Sequence, residues 1–145
     1  MGSFVKGDAL PSLVKPPVGR EQLRLYAEVS MDPNPIHLDD AVARGVGLPG
    51  VIAHGMLTMA FMGEFLHQSL DSLGWNDRGG IGQMSCRFKA MTFPGDVITV
   101  TGVVTDASDR QLGCEIQTHN QRGELTATGR AVLVQSLTES KTMST

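Results

Sequence analysis

Residues 55–73 read GMLTMAFMGEFLHQSLDSL, a helical run with no proline inside it and with Gly74 placed to cap its C-terminus. At about 1.5 Å per residue the helix is about 28 Å long. Between Met56 and Met62 the single polar side chain is Thr58, so nearly every face of that half is apolar and is expected to be enclosed by protein. The second half is amphipathic.

Downstream of Gly79-Gly80 the pattern changes to β-branched segments with period two, predicting strands at 81–90, 96–106, 111–119 and 124–135. Turn signals separate them at Pro94-Gly95-Asp96, Ser108-Asp109 and Asn120-Gln121-Arg122-Gly123. Leu112, Cys114, Ile116 and Thr118 alternate with polar neighbours, as do Leu125, Ala127, Gly129, Ala131 and Leu133 further on. Such alternation places one sheet face on a core, as in an antiparallel meander. Upstream, Pro11, Pro16 and Pro17 leave room for one edge strand, and Leu23, Tyr26, Ala27 and Ser30 define a short helix over 20–30. Asp32-Pro33-Asn34-Pro35 ends it in a stiff, non-helical loop, because a residue before proline is pushed out of the α region. A brief helix restarts at Asp39 or Asp40 and stops at Gly45 or Gly47. An apolar helix followed by a meander packs best when the sheet wraps the helix. The fold class is therefore α+β, a single hot-dog domain over residues 1–136, with residues 137–145 a disordered tail.

Composition narrows the function. The 145 residues suffice for one core, and at 5% aromatic content with 8 Met that core is built from aliphatics and thioethers. A net charge of −3 offers no basic field for nucleic acid. No apolar run reaches the roughly 18 residues that a membrane span needs, and the N-terminus has no signal-peptide hydrophobic region. Cys86 and Cys114 sit in no CxxC or Cys/His cluster, so two buried thiols and a reducing, cytoplasmic setting are expected, with no cofactor and no metal.

Two constellations carry chemistry. Asp32 and His37 place a carboxylate and an imidazole on the proline-stiffened loop, as a fixed acid–base pair requires. His54-Gly55-Met56 starts the long helix, where unpaired N–H groups and the helix dipole stabilise charge developing on a carbonyl oxygen, and Gly55 admits a ligand to that backbone. Taken alone, the loop pattern more often means that Asp32 caps a turn and His37 is an ordinary polar residue, while at the helix start Gly55 could equally serve tight packing and His54 be a satisfied polar residue.

DPNPIHLDD at 32–40, AHGML at 53–57 and RFKAMTFPGD at 87–96 together resemble the MaoC-like, R-specific enoyl thioester hydratases and dehydratases, over about residues 4–135. Within them the chain is most similar to catalytic subunits of mycobacterial-type (3R)-hydroxyacyl-ACP dehydratases. The resemblance implies reversible hydration of trans-2-enoyl thioesters carried on CoA or acyl carrier protein. It implies Asp32 and His37 as the catalytic pair, Asn34 as a loop-supporting residue and the backbone N–H of Gly55 as oxyanion hole. It also implies at least a homodimer, or a heterodimer with a related subunit. Two positions depart from the pattern: Ala60 stands where related short hydratases often carry Ser, and Met91 where proline is common. Met56, Met59 and Ala60 are candidates for lining an adaptable acyl tunnel, although such a stripe is more often core, and Ala60 and Gly63 are expected to mark a close approach to a strand or helix.

Three rivals remain. A hot-dog thioesterase would use Glu64, which falls one helical step, about 100°, from where that chemistry places its acid. A non-catalytic hot-dog subunit would lack the Asp/His pair. A metal held by His37, Asp39 and Asp40 lacks helix-spaced histidines.

Overall fold

The computed structural model describes residues 3–75 and 77–136. The expected tail at 137–145 lies outside the described residues. Strand β1 (Leu13–Val14) is followed by α1 (Arg20–Ser30), a 3-10 turn (Pro35–His37), α2 (Asp40–Gly45) and α3 (Gly55–Leu73). Strands β2 (Gly79–Phe88), β3 (Thr99–Ala107), β4 (Gln111–His119) and β5 (Leu125–Gln135) complete the chain. Among the described residues they form one antiparallel sheet in the order β1-β3-β4-β5-β2, curled around α3 in the hot-dog arrangement.

Period-two alternation delivers the core. Leu112, Cys114, Ile116 and Thr118 of β4 and Ala127, Ala131 and Leu133 of β5 are buried, facing Phe61, Met62, Phe65, Leu66 and Leu70 of α3. Each large side chain so enclosed contributes roughly 1.5–3 kcal/mol. The close approach between helix and sheet is made by glycines of the sheet. A Cβ on Gly102 would lie 2.9 Å from the Phe65 ring, and one on Gly129 would lie 3.1 Å from Met62 Sδ and 2.7 Å from the Ser85 carbonyl oxygen. Gly63 has nothing within 4 Å of its Cβ position, and Ala60 is exposed, so the approach expected at those two residues falls instead on the facing strands.

The first half of α3 departs from expectation in one respect. Leu57, Phe61 and Met62 are enclosed, but Met56 is 56% exposed, Met59 half-buried and Ala60 exposed. The curled sheet of one chain covers one side of the helix and leaves an apolar stripe open. Cys114 is buried, its thiol pushed up to about 11 by desolvation, whereas Cys86 is only half-buried. The proline loop is not wholly irregular either: Pro35–His37 make a 3-10 turn, in which Asn34 Oδ1 accepts the Ile36 N–H at 3.2 Å.

A buried carboxylate ties the turn before β3 to the rest. Asp96 Oδ2 accepts the Phe93 N–H at 2.9 Å, and Oδ1 accepts from Gln121 Nε2 at 2.9 Å and Arg122 Nη1 at 3.3 Å. Its backbone carbonyl accepts the Val18 N–H, and Gly95 N–H returns to Val18. Burial pushes the Asp96 carboxyl up, but these donors outweigh it and hold the group below the usual carboxylate range. A carboxyl depressed in the folded state stabilises fully above its unfolded value of about 3.9 and loses that contribution as pH falls through the folded value. Denaturant unfolding at pH 7 is expected to show Asp96→Ala less stable by about 2 kcal/mol, with the gap to wild type narrowing below about pH 4.

Candidate active site

The site forms where α1, the 3-10 turn and the start of α3 meet. Met31 caps α1 in the left-handed conformation, with φ of 60°, and the chain turns so that the Asp32 N–H reaches back to the Ala27 carbonyl at 3.0 Å. Asp32 is thereby released from the helix with its carboxylate exposed. Five residues on, His37 is 8% exposed and its Nδ1 lies 2.7 Å from the Ile52 carbonyl oxygen. A carbonyl only accepts, so Nδ1 carries the proton and Nε2 is left with its lone pair.

The segment before α3 is pinned from both sides. The Ile52 N–H donates to the Ile36 carbonyl at 3.1 Å, and the Ala53 N–H donates to the Thr92 carbonyl at 2.8 Å. Asp40 adds a third anchor by accepting the Val51 N–H at 2.9 Å and pairing with Arg20 at 3.1 Å. The Val51 amide first, and then Arg20, hold its carboxyl below the usual carboxylate range.

At the helix start, neither the N–H of Gly55 nor that of Met56 has a backbone acceptor among the described residues. They are free to face a ligand oxygen, aided by the positive end of the helix dipole. A Cβ on Gly55 would lie 3.1 Å from the ring of Phe88, which is half exposed at the end of β2. Phe88 was not visible as a site residue in the sequence, since nothing in the order of β2 tells which strand end reaches α3.

One side-chain donor atom each from Asp32, His37 and His54 lies within 4.8 Å of the others. Asp32 and His37 are thus brought together, and His54 joins them. The His54 ring stacks on that of His37 at 3.8 Å between centroids and 22° between planes. Burial pushes its imidazolium down in pKa, partly offset by its hydrogen bond to the Asp32 backbone carbonyl. Such a trio could in principle hold a metal, but the lone pairs of the two imidazoles lie in two nearly parallel planes stacked one above the other. A metal at about 2.1 Å from both nitrogens would lie well out of at least one ring plane, so the set fits a metal poorly. Of the other metal trio, Asp39 instead caps α2 by accepting the N–H groups of Ala41 and Val42, and Asp40 serves the anchor above.

Met56 and Ala60 lie on the open stripe of α3, with Met59 at its margin. Glu64 is engaged by Lys15 Nζ at 2.9 Å and sits nine residues beyond Gly55, about 13 Å up the helix. It takes no part in the cluster.

Fold and cluster together define a hot-dog domain that gathers one carboxylate and two imidazoles beside an open helix N-terminus. Residues 7–128 match the profile of the MaoC like domain, and the chain belongs to that family. The (R)-specific enoyl-CoA hydratase of Aeromonas caviae is 32% identical over 117 residues, spanning 79% of this chain and 84% of the relative. The solved (R)-hydratase from A. caviae involved in PHA biosynthesis superposes with a TM-score of 0.80 at 30% identity, covering 94% of this chain and 100% of that one. Fatty acid synthase 2 of Mycosarcoma maydis is 34% identical over 111 residues, which are 73% of this chain and 3% of that much larger protein.

Gly55→Ala is expected to fold normally, because the half-exposed Phe88 ring can yield by the few tenths of an ångström that the new methyl requires. Its thermal midpoint should lie within about 5 °C of wild type, a shift equivalent to about 1–2 kcal/mol. A larger loss would show that the Phe88 contact is rigid.

Proposed function

We propose that the protein catalyses reversible hydration of trans-2-enoyl thioesters to (3R)-3-hydroxyacyl thioesters, on CoA or acyl carrier protein. The observation that carries this reading is the convergence of Asp32 and His37 within 4.8 Å, next to the free amides at the start of α3. The family and the likeness to the (R)-specific enoyl-CoA hydratase of A. caviae support the same reaction class.

In the hydration direction, a water held between the Asp32 carboxylate and His37 Nε2 loses a proton to the pair as its oxygen bonds to C3. The C2–C3 π electrons move toward the thioester carbonyl, and enolate charge on its oxygen is met by the N–H of Gly55. Collapse of the enolate takes a proton at C2 from the pair, so the water's two hydrogens end on the C3 hydroxyl and on C2. Dehydration runs the same steps in reverse. Each oxyanion donor of this kind is worth roughly 10²–10³ in rate, and each well-placed acid–base group about 10²–10⁴.

The thioesterase alternative loses support from the Lys15 pairing of Glu64, and the non-catalytic alternative from the assembled pair. A second copy of the chain fits the edge of β2, ten residues long, which pairs with no further strand among the described residues, and the open stripe at Met56 and Ala60. A heterodimer with a related subunit would use the same surfaces.

Loss of conjugated enoyl absorbance with crotonyl-CoA and a longer enoyl-CoA should fall at least about a hundredfold in both Asp32→Asn and His37→Ala. Unchanged rates in both would end the assignment, and free thiol release dependent on Glu64 would favour the thioesterase. Sedimentation equilibrium is expected to give twice the chain mass of 15.5 kDa, and a fully active monomer would remove the second copy from the account.

A further inference from the structure

We propose that His54 is a positioning residue that holds Asp32 and His37 in register through two different parts of one ring. The inference rests on the hydratase reading for its meaning, but its geometry stands apart from it. His54 is 2% exposed. Its Nε2 lies 3.2 Å from the backbone carbonyl oxygen of Asp32, its face covers the His37 ring at 3.8 Å, and Tyr26 meets it edge-on at 4.8 Å.

The Asp32 carbonyl can only accept, so the proton sits on Nε2 and Nδ1 bears a lone pair. That Nδ1 is buried without a hydrogen-bond partner among the described residues. An unsatisfied buried nitrogen is a cost, and one found in a folded chain calls for a reason. The geometry supplies it. Fixing the backbone of Asp32 needs an N–H donor, whereas fixing the plane of His37 needs a flat ring at stacking distance. Phenylalanine would give the face without the donor, and glutamine the donor without the face. Imidazole gives both, and its second nitrogen is left over.

The orphaned nitrogen also has an effect. Protonating it would place a cation with no hydrogen-bond acceptor among the described residues against the face of His37; the nearby Asp32 carboxylate favours that charge, but burial outweighs it, so His54 is held neutral and proton exchange falls to His37 and Asp32. Burial, which lowers the pKa of His54, acts in the same direction. Because His54 also forms the N-cap of α3, the same residue joins the acid–base pair to the helix start that offers the amide of Gly55.

The test compares His54→Phe and His54→Gln with Asp32→Asn and His37→Ala in the crotonyl-CoA assay, with circular dichroism as a folding control. Each His54 variant keeps one half of the function, so each is expected to fold and to lose at least about tenfold in kcat while KM stays within about twofold. A folded His54→Phe and a folded His54→Gln that both keep wild-type kcat overturn the proposal, as does a fall confined to KM. Where neither variant folds, nitrogen-15 spectra of the wild-type imidazoles decide it. A neutral His54 protonated at Nε2 supports the proposal, and an Nδ1–H tautomer or an imidazolium at pH 7 overturns it. Wild-type rates in Asp32→Asn and His37→Ala would instead defeat the hydratase reading, and the spectra would still judge the geometry.

Discussion

The burial of α3 in the curl of the sheet is the contact on which everything else depends. Phe65 and Met62 press onto Gly102 and Gly129 closely enough that a methyl group on either glycine would collide. This fixes the height and rotation of the helix against four strands. The start of the helix is then a defined point in space, and a site can be built against it by segments that have little core of their own. Neither α1 nor α2 is deeply embedded: Leu23 and Ala27 are the buried residues of the first, and Ala43 of the second.

Those shallow segments are held instead by hydrogen bonds between distant parts of the chain. Asp40 reaches Val51, His37 reaches Ile52, Ile52 reaches Ile36 and Ala53 reaches Thr92. Three consecutive residues before the helix are thus each tied to a different neighbour. The arrangement suits catalysis, because groups so pinned do not have to be ordered when the substrate arrives. Asp96 extends the same logic outward, fastening the turn after Thr92 to Gln121 and Arg122 at the β4–β5 turn.

Much of this was legible beforehand. The boundaries of α1 and α3, the alternation of β4 and β5 and the turn at 94–96 follow from periodicity and from proline and glycine placement, which are local properties. Asp32 and His37 were legible because the prolines between them announce a rigid loop. What stayed hidden depends on distance in space. Met56 reads as core because its neighbours are apolar, yet among the described residues no wall stands against it. His54 reads as a polar residue at a helix start, and nothing local reveals that its ring lies on His37. Phe88 against Gly55 is hidden for the same reason, since it arises from the pairing of β2 with β5.

Met31 shows where the fold gives up stability for direction. It is 87% exposed and makes the left-handed turn that glycine adopts freely, at a cost of order 1 kcal/mol or more for a side chain of its kind. Glycine there would relieve that cost, but it would also enlarge the unfolded ensemble, so the net gain would be small. It would further widen the range of exit angles available to the chain just before Asp32. A bulky residue in an awkward turn restricts those angles from outside the site, and the carboxylate inherits its aim from the backbone that carries it.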